Sequence, residues 1–332
     1  MDLYTLIKPL LFSLTPEMAH KASLEALRLF PFYNKKLVSK TSRKIMELDF
    51  PNPVGLAAGL DKNADYIDVL AKLGFGFIEV GTVTPTPQQG NPKPRIFRIP
   101  KKNALINRLG FNNKGVDYLV NQLKQKRFNG IVGVSITQNN ATPFEKANED
   151  YLFCFEKVYP YASYICADVS CPNVVGQTSL SQPELFSALL TELKQKQSQL
   201  TSEQKRYVPL VIKISPDLTT EEIAVTANIL LKHQVDGVIA CNTTKKRPMI
   251  ENLAIAKERG GLSGTPVFDL TLHTIQQLHF HLQNKIPIIG VGGIMSVENA
   301  QAFMSAGASL VQIYTGLIYQ GPGFVEDLVR HL

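Results

Sequence analysis

The chain predicts an α/β protein, a closed (β/α)₈ TIM barrel with a two-helix N-terminal extension, and three observations carry that prediction. From residue 50 onward, short apolar runs alternate with longer amphipathic ones. The apolar runs number eight. The last two end in glycine-rich turns, Gly290-Val291-Gly292-Gly293 and Tyr314-Thr315-Gly316. Strands separated by helices imply parallel crossovers, and eight of them favour closure over an open doubly wound sheet of about six.

The expected strands are 54–58, 77–81, 131–136, 164–169, 210–214, 237–240, 286–291 and 310–314. Helix-like stretches fall between them at 64–73, 148–159, 182–196, 221–232 and 297–306. Polar residues and glycines gather at the strand ends, where a barrel builds its site. They include Gly59-Leu60-Asp61-Lys62, Gly81-Thr82, Ser170-Cys171-Pro172-Asn173, Lys213 and Asn242-Thr243. Loops after the last two strands of such a barrel grip phosphate, because bare backbone N–H groups can approach the anion. One glycine reads as a turn; two such loops at these strands point to a phosphate seat.

Residues 1–45 differ from the barrel at 46–332. Leu3, Leu6, Ile7, Leu10, Leu11 and Leu14 recur at helical spacing, and Thr15-Pro16-Glu17 opens a second helix bearing His20. This pair can pack on the barrel, the reading periodicity favours, or lie in a membrane interface and guard an apolar tunnel.

Composition narrows the partners. Hydrophobic residues at 44% and charged ones at 19% permit a large core and argue against general disorder. No apolar run reaches the roughly 18 residues of a membrane span, and the start lacks a secretory signal, so a cytoplasmic setting is expected. The net charge of +7 comes from dispersed basic residues, which suits anionic ligands and acidic lipid without implying nucleic acid. Cys154, Cys166, Cys171 and Cys241 form no CxxC pair and no zinc spacing, so no metal is expected and reduced thiols are the default.

Longer motifs then become specific. Leu56-Ala57-Ala58-Gly59-Leu60-Asp61-Lys62, Glu79-Val80-Gly81-Thr82-Val83-Thr84-Pro85 and Asn107-Arg108-Leu109-Gly110-Phe111-Asn112-Asn113 resemble the dihydroorotate dehydrogenases. So do Lys213-Ile214-Ser215-Pro216-Asp217, Gly260-Gly261-Leu262-Ser263-Gly264 and Ile289-Gly290-Val291-Gly292-Gly293-Ile294. The resemblance covers essentially the whole chain. It is strongest to the membrane-associated, quinone-dependent class, which carries the N-terminal helices.

The resemblance implies FMN, oxidation of dihydroorotate to orotate in de novo pyrimidine synthesis, and reoxidation of the flavin by a membrane quinone. It implies a peripheral position on the cytoplasmic side of the cell membrane. Ala58, Gly59, Lys62, Thr82, Ser135, Asp168, Lys213, Cys241, Gly264, Gly293, Tyr314 and Thr315 would hold the flavin. Lys62, Asn107, Arg108, Leu109, Gly110, Phe111, Asp168, Asn173, Asn242 and Thr243 would hold the substrate. The chemistry suits these roles: Lys62 supplies a cation for a carboxylate, and amides donate and accept without added charge. Lys213 would stabilise negative charge on the reduced flavin, the other reading being a buried ion pair. His20 and Arg98 would line the quinone entrance. Singly, His20 also reads as a packing residue and Arg98 as a surface ion-pair partner.

A base is required opposite the flavin, and the resemblance places it at Cys171, where the quinone-dependent class typically has serine and the soluble class cysteine. A thiol with a reference pKa of about 8.5 is closer to neutrality than a hydroxyl; the alternative is a passive small residue. Other departures cluster nearby. Asp168 and Ser135 stand where the family has asparagine, Thr137-Gln138 replaces Gly-Lys, Cys241 replaces threonine, and Val174-Val175-Gly176-Gln177 replaces Thr-Pro-Gly-Leu. A carboxylate at Asp168 repels an anionic substrate unless it is protonated or paired, Lys213 being the candidate partner. Two alternatives therefore stand beside the quinone-dependent enzyme: an FMN barrel with an altered cyclic-amide substrate, and a catalytically silent flavin-binding protein.

Overall fold

The computed structural model describes residues 3–29, 42–170 and 182–332. Helices α1 (Leu3–Ser13) and α2 (Pro16–Leu29) lead into a hairpin of β1 (Arg43–Ile45) and β2 (Leu48–Phe50). The hairpin thus has one strand on each side of the expected 45/46 boundary. The chain then runs through β3 (Val54–Leu56), α3 (Ile67–Ala71) and β4 (Phe77–Val83) before an excursion into β5 (Ile96–Ile99) and β6 (Ala104–Asn107). It continues as α4 (Val116–Gln125), β7 (Ile131–Ile136), α5 (Ala147–Val158), β8 (Tyr164–Asp168), α6 (Pro183–Gln204), β9 (Leu210–Ile214), α7 (Thr220–Lys232) and β10 (Gly237–Ala240). The last elements are β11 (Gly261–Gly264), α8 (Phe268–Leu282), β12 (Ile288–Val291), α9 (Val297–Ser305), β13 (Ala308–Ile313), α10 (Thr315–Gln320) and α11 (Gly323–His331).

Strands β3, β4, β7, β8, β9, β10, β12 and β13 pair in that order, all parallel, and β13 closes onto β3. All eight expected strands are present, and the (β/α)₈ barrel is the observed fold. The stretch expected as helix at 64–73 shortens to α3. The physical cause is the Asp61 carboxylate, which takes the backbone N–H groups of Asp65 (2.9 Å) and Tyr66 (2.7 Å) and holds a turn with Ala64 at φ 62°.

Packing inside the barrel alternates small with large. Phe50, fully buried, sits edge-on to Phe77 at 5.1 Å between ring centroids, and Phe77 in turn lies 6.5 Å from Tyr164. Gly55 and Gly133 make room for these rings, since a Cβ there would fall 2.3 Å from Phe77 and 2.1 Å from Tyr164. The hairpin thereby plugs the N-terminal end of the barrel and leaves the C-terminal end for a site.

At that C-terminal end, β5, β6 and β11 form a small antiparallel sheet. It receives the N-terminal helices. Arg95 Nε donates to Glu17 at 2.8 Å, and Arg98 donates to the carbonyls of Leu11 and Leu14, satisfying groups the end of α1 leaves open. Tyr66 donates to Glu25 at 2.6 Å, fixing α2 to α3. Among the described residues no helix is long and apolar enough to cross a membrane.

Candidate active site

A cleft of about 1090 Å³, counting the part open to solvent, lies at the C-terminal ends of the barrel strands. Every barrel strand but β7 contributes, directly or through the turn that follows it. The turn after β3 supplies Ala58, Gly59 and Lys62, and β4 supplies Thr82. Asp168 ends β8, Lys213 lies in β9, and Cys241, Asn242 and Thr243 follow β10. The small sheet adds Asn107 and Gly264, the turn after β6 adds Leu109, Gly110 and Phe111, and the segments following the last two barrel strands add Gly293, Tyr314 and Thr315. Gly293 cannot be replaced without rearrangement. Its φ is +81° and an added Cβ would fall 2.5 Å from the backbone of Phe268.

Polar groups in the cleft wall are tightly networked. Asn242 Nδ2 donates to both carboxylate oxygens of Asp168, at 3.0 and 3.1 Å, while Ser170 donates from its N–H and hydroxyl at 3.2 Å. Thr82 and Ser135 share a hydroxyl hydrogen bond of 2.8 Å, as do Ser263 and Thr315 at 2.9 Å. Deeper in the barrel, the fully buried Glu79 accepts from Tyr164 (2.8 Å) and Gln312 (3.0 Å). Burial pushes the Glu79 carboxyl up, against the opposing pull of Lys213. Burial likewise pushes the Cys241 thiol up to about 12, so it stays a neutral, small lining group.

A second cavity of about 880 Å³, again counting its open part, lies between the N-terminal helices and the barrel. Leu11, Phe12, Leu24, Leu27, Leu70 and Leu317 give it an apolar wall, and His20, Arg98 and Tyr4 its polar points. Ile96, Leu105 and Tyr314 line both cavities, so the two spaces share one wall. Burial lowers the His20 pKa, and the nearby Lys62 charge lowers it further. His20 is therefore neutral at pH 7.

Most of the residues expected at a site converge. Ala58, Gly59, Lys62, Thr82, Asp168, Lys213, Cys241, Gly264, Gly293, Tyr314 and Thr315 all line the cleft, as do Asn107, Leu109, Gly110, Phe111, Asn242 and Thr243. His20 and Arg98 line the second cavity. Two residues lie elsewhere. Ser135 is fully buried behind Thr82, and the Arg108 guanidinium turns away to Glu258 (2.5 Å), the carbonyls of Arg259 and Pro94, and the Phe97 ring. Cys171 and Asn173 lie outside the described residues. Sequence reasoning missed Gln312, Ser263, Ile96 and Leu105 as lining residues. Gln312 had a signal, a lone polar residue in the apolar run of β13, and Ser263 lies in the quoted 260–264 motif; Ile96 and Leu105 had none.

A closed barrel with glycine turns at its last two strands, two lysines and a set of amides around one cleft, and an adjoining apolar cavity defines an α/β barrel with two adjoining ligand-sized spaces, one polar and one apolar. The family model for dihydroorotate dehydrogenase matches residues 40–332. The dihydroorotate dehydrogenase (quinone) of Coxiella burnetii (strain Dugway 5J108-111) is 51% identical over 99% of this chain and 96% of its own length. That of Idiomarina loihiensis is 52% identical over 99% of this chain and 100% of its own. The crystal structure of the Eimeria tenella enzyme in complex with ferulenol superposes with a TM-score of 0.86 at 34% identity, covering 95% of this chain and 89% of that one. The chain belongs to the dihydroorotate dehydrogenase family.

Proposed function

We propose that this protein oxidises (S)-dihydroorotate to orotate in pyrimidine biosynthesis, with FMN in the barrel cleft and a membrane quinone as the final electron acceptor. The observation that carries this reading is the shared wall. A polar cleft and an apolar cavity meet at Tyr314, Ile96 and Leu105, which separates a water-soluble substrate from a lipid-soluble one. The cleft suits a flavin phosphate and ring. A Cβ at Gly59 would meet only the Tyr314 ring, at 3.3 Å, and open space otherwise. Gln312 borders the cleft with its Oε1 lacking a hydrogen-bond partner.

FMN, when bound, supplies the acceptor for the hydride. Gly264, Gly293 and Thr315 would hold its phosphate, and Thr82, Lys213 and Gln312 its ring edge. Lys62 binds the substrate carboxylate, and Asn107, Asn173 and Asn242 orient the ring through its amide edges. Cys171, as thiolate, takes the proton from the ring carbon next to the one that loses hydride. The Leu6, Leu10 and Leu29 side chains, 60%, 69% and 74% exposed, favour peripheral membrane contact beside the quinone cavity.

The test is anaerobic mixing of the purified yellow protein with dihydroorotate. Flavin absorbance bleaches and recovers when quinone is added. Bleaching only with another cyclic amide, or none with any substrate, overturns the reading. In Cys171→Ala the bleaching is abolished, and near-normal single-turnover rates there remove Cys171 as the base.

A further inference from the structure

Among the described residues lining the cleft, Asp168 is the one acid beside two lysines, Lys62 and Lys213. It is 5% exposed, and among the described residues its carboxylate is met by donors: the Asn242 amide to both oxygens, and the Ser170 N–H and hydroxyl to one. The Asn242 amide cannot turn over without loss, because its Oδ1 already accepts from the Thr243 N–H at 2.8 Å. A neutral amide at position 168 would set an NH₂ group against at least one of these donors. The pocket is shaped for an anion.

That anion stands beside a cation. Asp168 and Lys213 are register partners on the neighbouring strands β8 and β9, and both side chains enter the same cleft. Glu79, beneath them, responds to both, with Lys213 favouring its charged form and Asp168 opposing it. Burial favours the neutral acid at Glu79, which weakens its compensation of the lysine, whereas Asp168 shares the cleft wall with Lys213.

We propose that Asp168 neutralises Lys213 and so lowers the electron affinity of the flavin held in this cleft. The inference rests on the flavin site proposed above. Negative charge that develops on the reduced ring gains from a lysine only to the extent that the lysine's field is uncompensated. With the pair in place, the reduced flavin is destabilised relative to a cleft holding Lys213 alone, and it yields electrons to its acceptor more readily.

Removing the carboxylate charge tests this. In Asp168→Asn carrying stoichiometric FMN, the midpoint potential rises by at least about 30 mV, a tenfold shift in a two-electron equilibrium. The dissociation constant for sulfite, which forms an anionic adduct with the flavin, falls at least tenfold. Glu79→Gln serves as the control and moves neither quantity more than about threefold. Unchanged or lowered values in Asp168→Asn overturn the proposal, as does an equal shift in Glu79→Gln. Asp168→Ser gives a second neutral variant. If neither neutral variant retains FMN, the carboxylate holds the flavin in place and the proposal fails. Purified wild-type protein without FMN would instead remove the flavin site itself.

Discussion

The cleft and the second cavity share Tyr314 but are made in opposite ways. The cleft is assembled mostly from the ends of barrel strands, so Asp168, Lys213 and Asn242 are positioned by or directly beside backbone already locked in a closed sheet. The second cavity is assembled by docking. Its wall depends on α1 and α2 staying on the barrel, held by Arg95 on Glu17, Arg98 on the α1 carbonyls, Tyr66 on Glu25 and the Phe12–Tyr319 ring contact. Chemistry that needs fixed charges occupies the rigid half. On the proposed function, an apolar molecule passes through the half made by docking. The electrostatics agree, since Asp168, Lys213 and Glu79 are buried in the first, whereas His20 is held neutral in the second.

The sharpest break between the halves is Lys62→Met. It removes the cation proposed to meet the substrate carboxylate, and flavin bleaching by dihydroorotate slows about 10²–10³-fold, the usual cost of one preorganised charge-stabilising donor. Stopped-flow absorbance reads this directly. A loss under tenfold would shift the anchoring role to the amides. The converse variant is Ala19→Trp, which fills the second cavity. The quinone KM rises about tenfold or more, equivalent to 1.4 kcal/mol, while bleaching by dihydroorotate keeps its rate. If both half-reactions fall together, the two spaces are not functionally separate.

The barrel was legible because alternation and glycine turns repeat through the chain, and repetition survives errors at single boundaries. The strand-end residues were legible for the same reason, since a barrel places them on one rim. The small sheet was not. Its strands β5, β6 and β11 are four residues each, and Gly261 pairs with Asn107 from far along the chain. Arg108 shows the limit most clearly. The motif locates its backbone beside the cleft, but the direction of its guanidinium is set by Glu258, a residue 150 positions away. The Glu79–Tyr164–Gln312 cluster was hidden differently, as single polar residues inside strands that read as apolar.

The wall between the halves gives a smaller, pH-dependent effect. Asp61 precedes Lys62, which lines the cleft, and follows Leu60, which lines the second cavity. Burial pushes its carboxyl up to about 6, outweighing the N–H donors of Tyr66 and Asp65. Because the folded-state value lies above the unfolded one, the native state holds the proton more tightly and stability falls as pH rises through 6. The contribution is a loss of about 1 kcal/mol between pH 5 and pH 7, since each shifted unit is worth 1.36 kcal/mol. Urea midpoints for wild type and Asp61→Asn check it: the slope flattens in the variant. An equal slope in both proteins would place the titration elsewhere.

The smallest effect separates a backbone contribution from a side-chain one within the cleft rim. Asn107 and Arg108 are consecutive, yet Asn107 lines the cleft while the Arg108 side chain reaches Glu258, with side-chain exposures of 27% and 38% for the ion pair. An ion pair that open contributes under about 1 kcal/mol. Arg108→Ala therefore changes the KM for dihydroorotate by less than about threefold, whereas Asn107→Ala raises it by tenfold or more, as expected when a site loses a directed hydrogen bond. Steady-state kinetics on the two variants decide the matter. If Arg108→Ala is as damaging as Asn107→Ala, the guanidinium leaves Glu258 to meet the substrate carboxylate, and the rim is an adaptable part of the otherwise rigid half.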